Sequence, residues 1–86
     1  MRTSEVTNAL IGKRVKGIHG ARPVTGTIIG VVEDKYSKGL RIKLDSPVFF
    51  ASGYGVQHTE WEETEYESTA RKFDDWGNLH HTKLID

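Results

Sequence analysis

Five residues able to hold an anion crowd one short stretch: Lys13, Arg14, Lys16, His19 and Arg22 surround Gly17-Ile18-His19-Gly20. Glycines let backbone N–H groups come close to a bound anion, and neighbouring Lys and Arg add charge-assisted hydrogen bonds to phosphate. Arg41 and Lys43 lie two residues apart, so they share one side of a strand and extend the set. Tyr36 and Tyr54 stand among turn-forming residues and offer rings for base stacking, a contact that contributes roughly 1–3 kcal/mol in single-strand binders. Together these residues point to recognition of a phosphate-bearing ligand, a nucleic acid or a nucleotide. A plainer reading of the same stretch is a solvated strand and hairpin whose glycines merely serve the turn.

A second run carries the opposite charge. Glu60, Trp61, Glu62, Glu63, Glu65, Tyr66 and Glu67 interleave carboxylates with aromatics. This run can pair with the basic strands, meet a basic partner by imitating a row of phosphates, or form a solvated face. The sorting extends to the whole chain. Residues 1–43 hold nine Lys and Arg against three acids, whereas residues 44–86 hold three against nine, so a formal net charge of zero conceals halves of +6 and −6. Such asymmetry marks charged recognition, or a fold that satisfies its charges internally.

Other chemistries find little footing. There is no nucleophile elbow or Walker-type loop, and the carboxylates form a run rather than an apolar-flanked pair whose pKa values would separate. We therefore expect no enzyme, no catalytic residue and no cofactor. His80-His81 invites a metal, with His19, His58, Asp74 or Asp75 as further ligands, but adjacent strand residues point to opposite faces and no spaced motif such as HExxH is present. No metal site is expected.

Cysteine is absent, and no apolar run approaches the ~18 residues of a membrane span or follows Met1-Arg2-Thr3-Ser4-Glu5 as in a signal peptide. The expectation is one domain over residues 1–86, cytoplasmic and away from membranes, resting on packing and backbone pairing alone.

The elements that must position these residues are strands. At most a short helical turn, capped by Ser4 and ended at Gly12, opens the chain. Lys13 to Ile18 is a basic strand with Val15 inward, and Gly17 and Gly20 punctuate a loop running to Pro23. Val24 to Val32 is β-branched, with Val24, Ile28 and Val32 on one face, and Gly26 and Gly30 mark bulges or bends. Asp34 to Gly39 is a turn, and Leu40 to Leu44 alternates strictly. Asp45-Ser46-Pro47 is expected to break that strand, with the aromatics of Val48 to Val56 covering the end of a small barrel. Trp61 to Phe73 reads as a long strand, Asp74 to Asn78 as a turn, and Leu79 to Ile85 as a short strand or 3₁₀ turn.

About five short strands joined by Gly-rich turns indicate an all-β fold, a small antiparallel barrel. Ile11-Gly12-Lys13-Arg14-Val15, the bent Val24-Thr25-Gly26-Thr27-Ile28, Leu40-Arg41-Ile42-Lys43-Leu44 and the ending from Gly77-Asn78-Leu79 to Leu84-Ile85 resemble an SH3-like barrel of the KOW or Tudor type. The resemblance implies architecture and no catalytic residues. The chain departs from it at an inserted loop or strand region, 45–67, where a private function would be built.

The sequence thus leads to a non-enzymatic module that binds an anionic ligand through its basic half. The alternative is a small protein-interaction or inhibitor module of phage or mobile-element type, acting through the acidic, aromatic segment 58–67 or sequestering a nucleotide signal. Self-association is compatible with either, since a nucleotide sponge often places its pocket between subunits.

Overall fold

Alternation of β-branched and polar residues governs the chain from Arg14 onward, and the computed structural model, which describes residues 1–72 and 78–85, is built on it. Five strands, β1 (Arg14–His19), β2 (Arg22–Glu33), β3 (Ser37–Tyr54), β4 (Gln57–Arg71) and β5 (Lys83–Ile85), form one antiparallel sheet in the order β4-β3-β2-β1-β5. The fold is all-β. Its helical features among the described residues are two 3₁₀ turns, Thr3–Glu5 and Asn8–Leu10. They replace the single Ser4-capped turn of the sequence reading, because Glu5 reaches back to accept the Arg2 backbone N–H at 2.7 Å. No helix among the described residues is long and apolar enough to cross a membrane.

β2 serves two partners in succession. Residues 22–27 pair with β1 and Gly26–Glu33 pair with β3, so the neighbours overlap only at Gly26 and Thr27. Gly26 marks this corner: a β-carbon there would stand 2.4 Å from the carbonyl oxygen of Lys43. The register then slips between Ile28 and Gly30. That bulge at Ile29 reverses the inward parity. Val31, opposite the fully buried Leu40, consequently packs on the core side with Ile28, where plain alternation grouped Val32 with Ile28.

The sheet curls as a result. His19 of β1 stacks on Tyr66 of β4 at 4.6 Å between ring centroids, although β2 and β3 separate their strands. Such curvature is compatible with a small barrel. The interior holds Val6, Val15, Ile28, Leu40, Ile42 and Leu79 at 1% exposure or less. Leu79 sits just ahead of β5, its N–H bonded to the Met1 carbonyl at 2.7 Å.

Two expected boundaries move. The loop from Gly17 to Pro23 is a two-residue hairpin: His19 pairs with Arg22, and Gly20 and Ala21 have φ of +61° and +62°. Both positive angles match a type I′ turn, whose twist fits the flanking strands. Pro23 is accommodated inside β2 because this geometry points its missing N–H away from β1.

The second change concerns β3. Asp45-Ser46-Pro47 does not end it; the strand runs on to Tyr54 after a register jump between Lys43 and Val48. Val48–Tyr54 then pairs with Gln57–Glu63 as a two-stranded arm. This gives the molecule extents of 46 × 27 × 18 Å. Of the aromatics of this region Phe50 packs against the core, whereas Phe49 at 69% and Tyr54 at 95% exposure do not cover a barrel end. β4 accordingly begins at Gln57, ahead of the expected Trp61, and Phe73 and the turn from Asp74 to Gly77 lie outside the described residues.

Candidate anion-binding face

Antiparallel register decides where the opposed charges go. Arg41 stands opposite Glu67, and Lys43 opposite Glu65. The Arg41 guanidinium lies 2.9 Å from Glu67 and 3.6 Å from Glu65. Arg14 grips Asp45 with both terminal nitrogens, and the Thr25 hydroxyl adds a third hydrogen bond to that carboxylate at 2.6 Å. Arg14 first, then Thr25, hold the Asp45 carboxyl well below the usual carboxylate range. At the far end of β2, Lys72 lies 2.6 Å from Glu33 and lowers its pKa. Much of the +6 and −6 sorting is therefore satisfied within the sheet.

His19 is held in a different way. Its Nε2 meets Glu63 at 2.7 Å, and its ring lies between Tyr66 and the edge of Phe50, whose centroid is 5.4 Å away. Phe50 in turn stacks on Trp61 at 5.5 Å, and the Trp61 indole N–H donates to Glu63 at 3.0 Å. Trp61 and then His19 lower the Glu63 pKa, while burial raises that of the Tyr66 phenol. This aromatic clamp fixes the base of the arm against the β1–β2 hairpin. Sequence reading placed His19 in one candidate site, Trp61, Glu63 and Tyr66 in the other and Phe50 in neither, because the contacts cross between strands that are not neighbours.

The basic cluster of the first strands is divided by the pleat. In β1 the outward residues are Arg14, Lys16 and Ile18, whereas Val15, Gly17 and His19 turn inward. Arg22 pairs with His19 and shares its side, and Lys13 precedes the strand. Lys43 joins the outer face through the row Arg14, Thr27, Lys43. Arg14, Lys16 and Lys43 thus come together, while His19 and Arg22 do not join them.

On that outer face the register makes one unusual match: Lys16 stands directly opposite Lys83 of β5. Such cross-strand positions hold their β-carbons about 5 Å apart, where like charges repel. Both side chains are exposed, and among the described residues neither has a carboxylate within ion-pair distance. They flank a shallow groove shared with His81 and lined by the outward Ile18 and Pro23. His81 has φ of +59°, a left-handed conformation that costs a non-glycine residue about 1 kcal/mol. Lys83 was not among the sequence candidates. Only the return of β5 to the edge of β1 places it there.

The remaining candidates lie elsewhere. Tyr36 and Tyr54 are exposed at opposite ends of β3, Tyr36 in the turn before it with Lys35 Nζ 5.5 Å from its ring centroid. Of the acidic set, Glu63, Glu65 and Tyr66 are engaged with the body, and Glu60, Trp61 and Glu62 line an open hollow on the arm with Phe49. His80 and His81 have ring centroids 6.4 Å apart, and no group of three metal-ligating side chains converges among the described residues; Asp74 and Asp75 fall outside them.

A family model described as a domain of unknown function (DUF7258) matches residues 1–84, and the chain belongs to that family. No curated protein and no solved structure matches it.

Proposed function

We propose that this DUF7258 domain is a non-enzymatic binding module that takes a phosphate-bearing ligand, nucleic acid or nucleotide, on the outer face of β1 and β5. The observation that carries this reading is the pairing of Lys16 with Lys83. Elsewhere the sheet sets acids against cations, as at Arg41 and Glu67. Here it sets two ammonium groups together, an arrangement that an arriving anion converts from repulsive to favourable. His81 adds a third nitrogen-bearing group at the groove, and Ile18 and Pro23 give a base or sugar an apolar surface.

The architecture we infer is the SH3-like barrel. A four-strand meander with a bent second strand, and a short last strand returning to the first, supports that assignment. In such a barrel the groove belongs to a face assembled from both ends of the chain.

The test is Lys16→Glu combined with Lys83→Glu, measured by fluorescence anisotropy with a labelled single-stranded oligonucleotide and by calorimetry with a nucleoside diphosphate. Loss of each charge-assisted contact is expected to weaken binding by about tenfold or more, and the dependence on salt should flatten. Equal affinity of variant and parent for both ligands, or no binding by either, overturns the reading.

A second reading, protein recognition or inhibition through segment 58–67, draws on the exposure of Trp61 at 41% beside Glu60 and Glu62. Replacing Glu60 and Glu62 with Gln separates the two. Protein recognition requires those carboxylates, whereas phosphate binding at Lys16 and Lys83 is retained or tightened without them.

A further inference from the structure

The arm has two edges of opposite character. The last pair between β2 and β3 is Gly26 with Leu44, so beyond it Val48–Tyr54 has β4 on one side and, among the described residues, no hydrogen-bonded strand on the other, where Arg22–Thr25 of β2 line an open hollow with Val48 and Phe49. Tyr54 pairs with Gln57 across a two-residue turn whose first residue, Gly55, has φ of +61°. Counting back from that closing pair, Ser52, Phe50 and Val48 exchange hydrogen bonds with β4. Phe49, Ala51 and Gly53 direct their backbone groups to the open side.

The open edge carries no charge: its sequence is Val48-Phe49-Phe50-Ala51-Ser52-Gly53-Tyr54. The opposite edge, on β4, carries Glu60, Glu62 and Glu63, continued by Glu65 and Glu67. Charged side chains are the usual guard against pairing between copies, because an antiparallel match would set glutamate near glutamate. β4 has this guard and β3 lacks it. Pro47, the nearest residue that disfavours pairing, lies before the open segment rather than in it.

We propose that the Val48–Tyr54 edge of β3 is a homodimer interface at which a second copy of this chain pairs antiparallel around Ala51. Among occupants, a second copy fits best: the segment is uncharged along its length, so it meets itself without repulsion, and a two-fold pairing closes without forming filaments. The joined arms form a continuous four-stranded ribbon, with contact along roughly 23 Å at about 3.3 Å per residue. Pairing would bring the rings of Phe49 and Tyr54, exposed in the single chain, to the junction of the two copies. This proposal goes beyond the lysine face and does not depend on it.

Sedimentation velocity and light scattering from low to high micromolar concentration test the idea with three variants. Ala51→Pro removes one N–H from the open edge while sparing the ladder to β4, and Phe49→Lys adds a charge there. Glu60→Pro makes the matching backbone change on the β4 edge. The expected result is a concentration-dependent dimer for the parent and for Glu60→Pro, and a monomer for the other two, with circular dichroism unchanged. Should Ala51→Pro lose its fold, the oligomeric state of Phe49→Lys alone decides. A parent chain that stays monomeric or forms larger assemblies, a dimer surviving Phe49→Lys, or loss of the dimer in a folded Glu60→Pro overturns the proposal. Oligonucleotide affinity of Phe49→Lys separates this result from the lysine-face reading.

Discussion

Gly17 of β1 lies beneath the phenol of Tyr66 from β4, so close that an added β-carbon would stand 2.5 Å from the phenolic oxygen. Tyr66 cannot easily move aside, because its ring is largely buried and stacked on His19. Gly17→Ala is expected to cost about 1–3 kcal/mol, as overpacking does in closed cores. Tyr66→Phe removes the obstructing oxygen, so the same glycine substitution should cost measurably less in that background. Urea denaturation of the four chains as a double-mutant cycle reads the coupling; additive effects would refute the contact.

Ala21 occupies the second central position of the β1–β2 turn at φ +62°, where a β-carbon is strained. Ala21→Gly relieves about 1–2 kcal/mol of left-handed strain and gives back part of it, about 0.4–1 kcal/mol, through the freer unfolded chain. A net gain of about 0.5–1 kcal/mol is expected. The urea midpoint should rise with an unchanged slope.

His19 connects the hairpin to the arm by touching Tyr66, Phe50 and Glu63. His19→Ala removes two ring contacts of about 0.5–1.5 kcal/mol each and should destabilise the domain by about 1–3 kcal/mol. In a Trp76→Phe background, where Trp61 is the sole indole, its emission should shift to the red as the Phe50–Trp61 stack loosens.

Asp45 gives the domain an acid dependence of definite sign. Its native pKa lies below the value near 3.9 of an unfolded aspartate. Its contribution is therefore complete above about pH 4 and is lost as the pH falls through the native value. Glu33, Asp34 and Glu63 are lowered in the same direction. Asp45→Asn should consequently flatten, without abolishing, the fall of melting temperature between about pH 5 and pH 2. An unaltered acid limb would show that the Arg14–Asp45 pair contributes nothing to it.

Residue patterning alone determined the fold class, the inward Val15, the alternation that buries Leu40 and Ile42, and bulges or bends at Gly26 and Gly30, because alternation and glycine conformational freedom act locally. It could not tell that Asp45-Ser46-Pro47 is a register jump rather than a strand end. Pro47 blocks ladder bonding in either case, and only continued pairing of Val48 with Glu63 distinguishes the two. The switch from Val32 to Val31 is similar, since the position of a bulge depends on which partner the strand meets.

The separation of +6 and −6 halves was fixed by the sequence, together with the types of group available to bind. Tertiary structure decided which of them remain unpaired. Cross-strand register sends Arg41 to Glu67 and leaves Lys16 facing Lys83, while the curl of the sheet brings Arg14 to Asp45 and His19 to Glu63 from strands that are not neighbours. Whether a cation is neutralised depends on the charge about 5 Å across the ladder or brought within reach by the curl of the sheet. That neighbour is set by how strands return, and local sequence does not contain it.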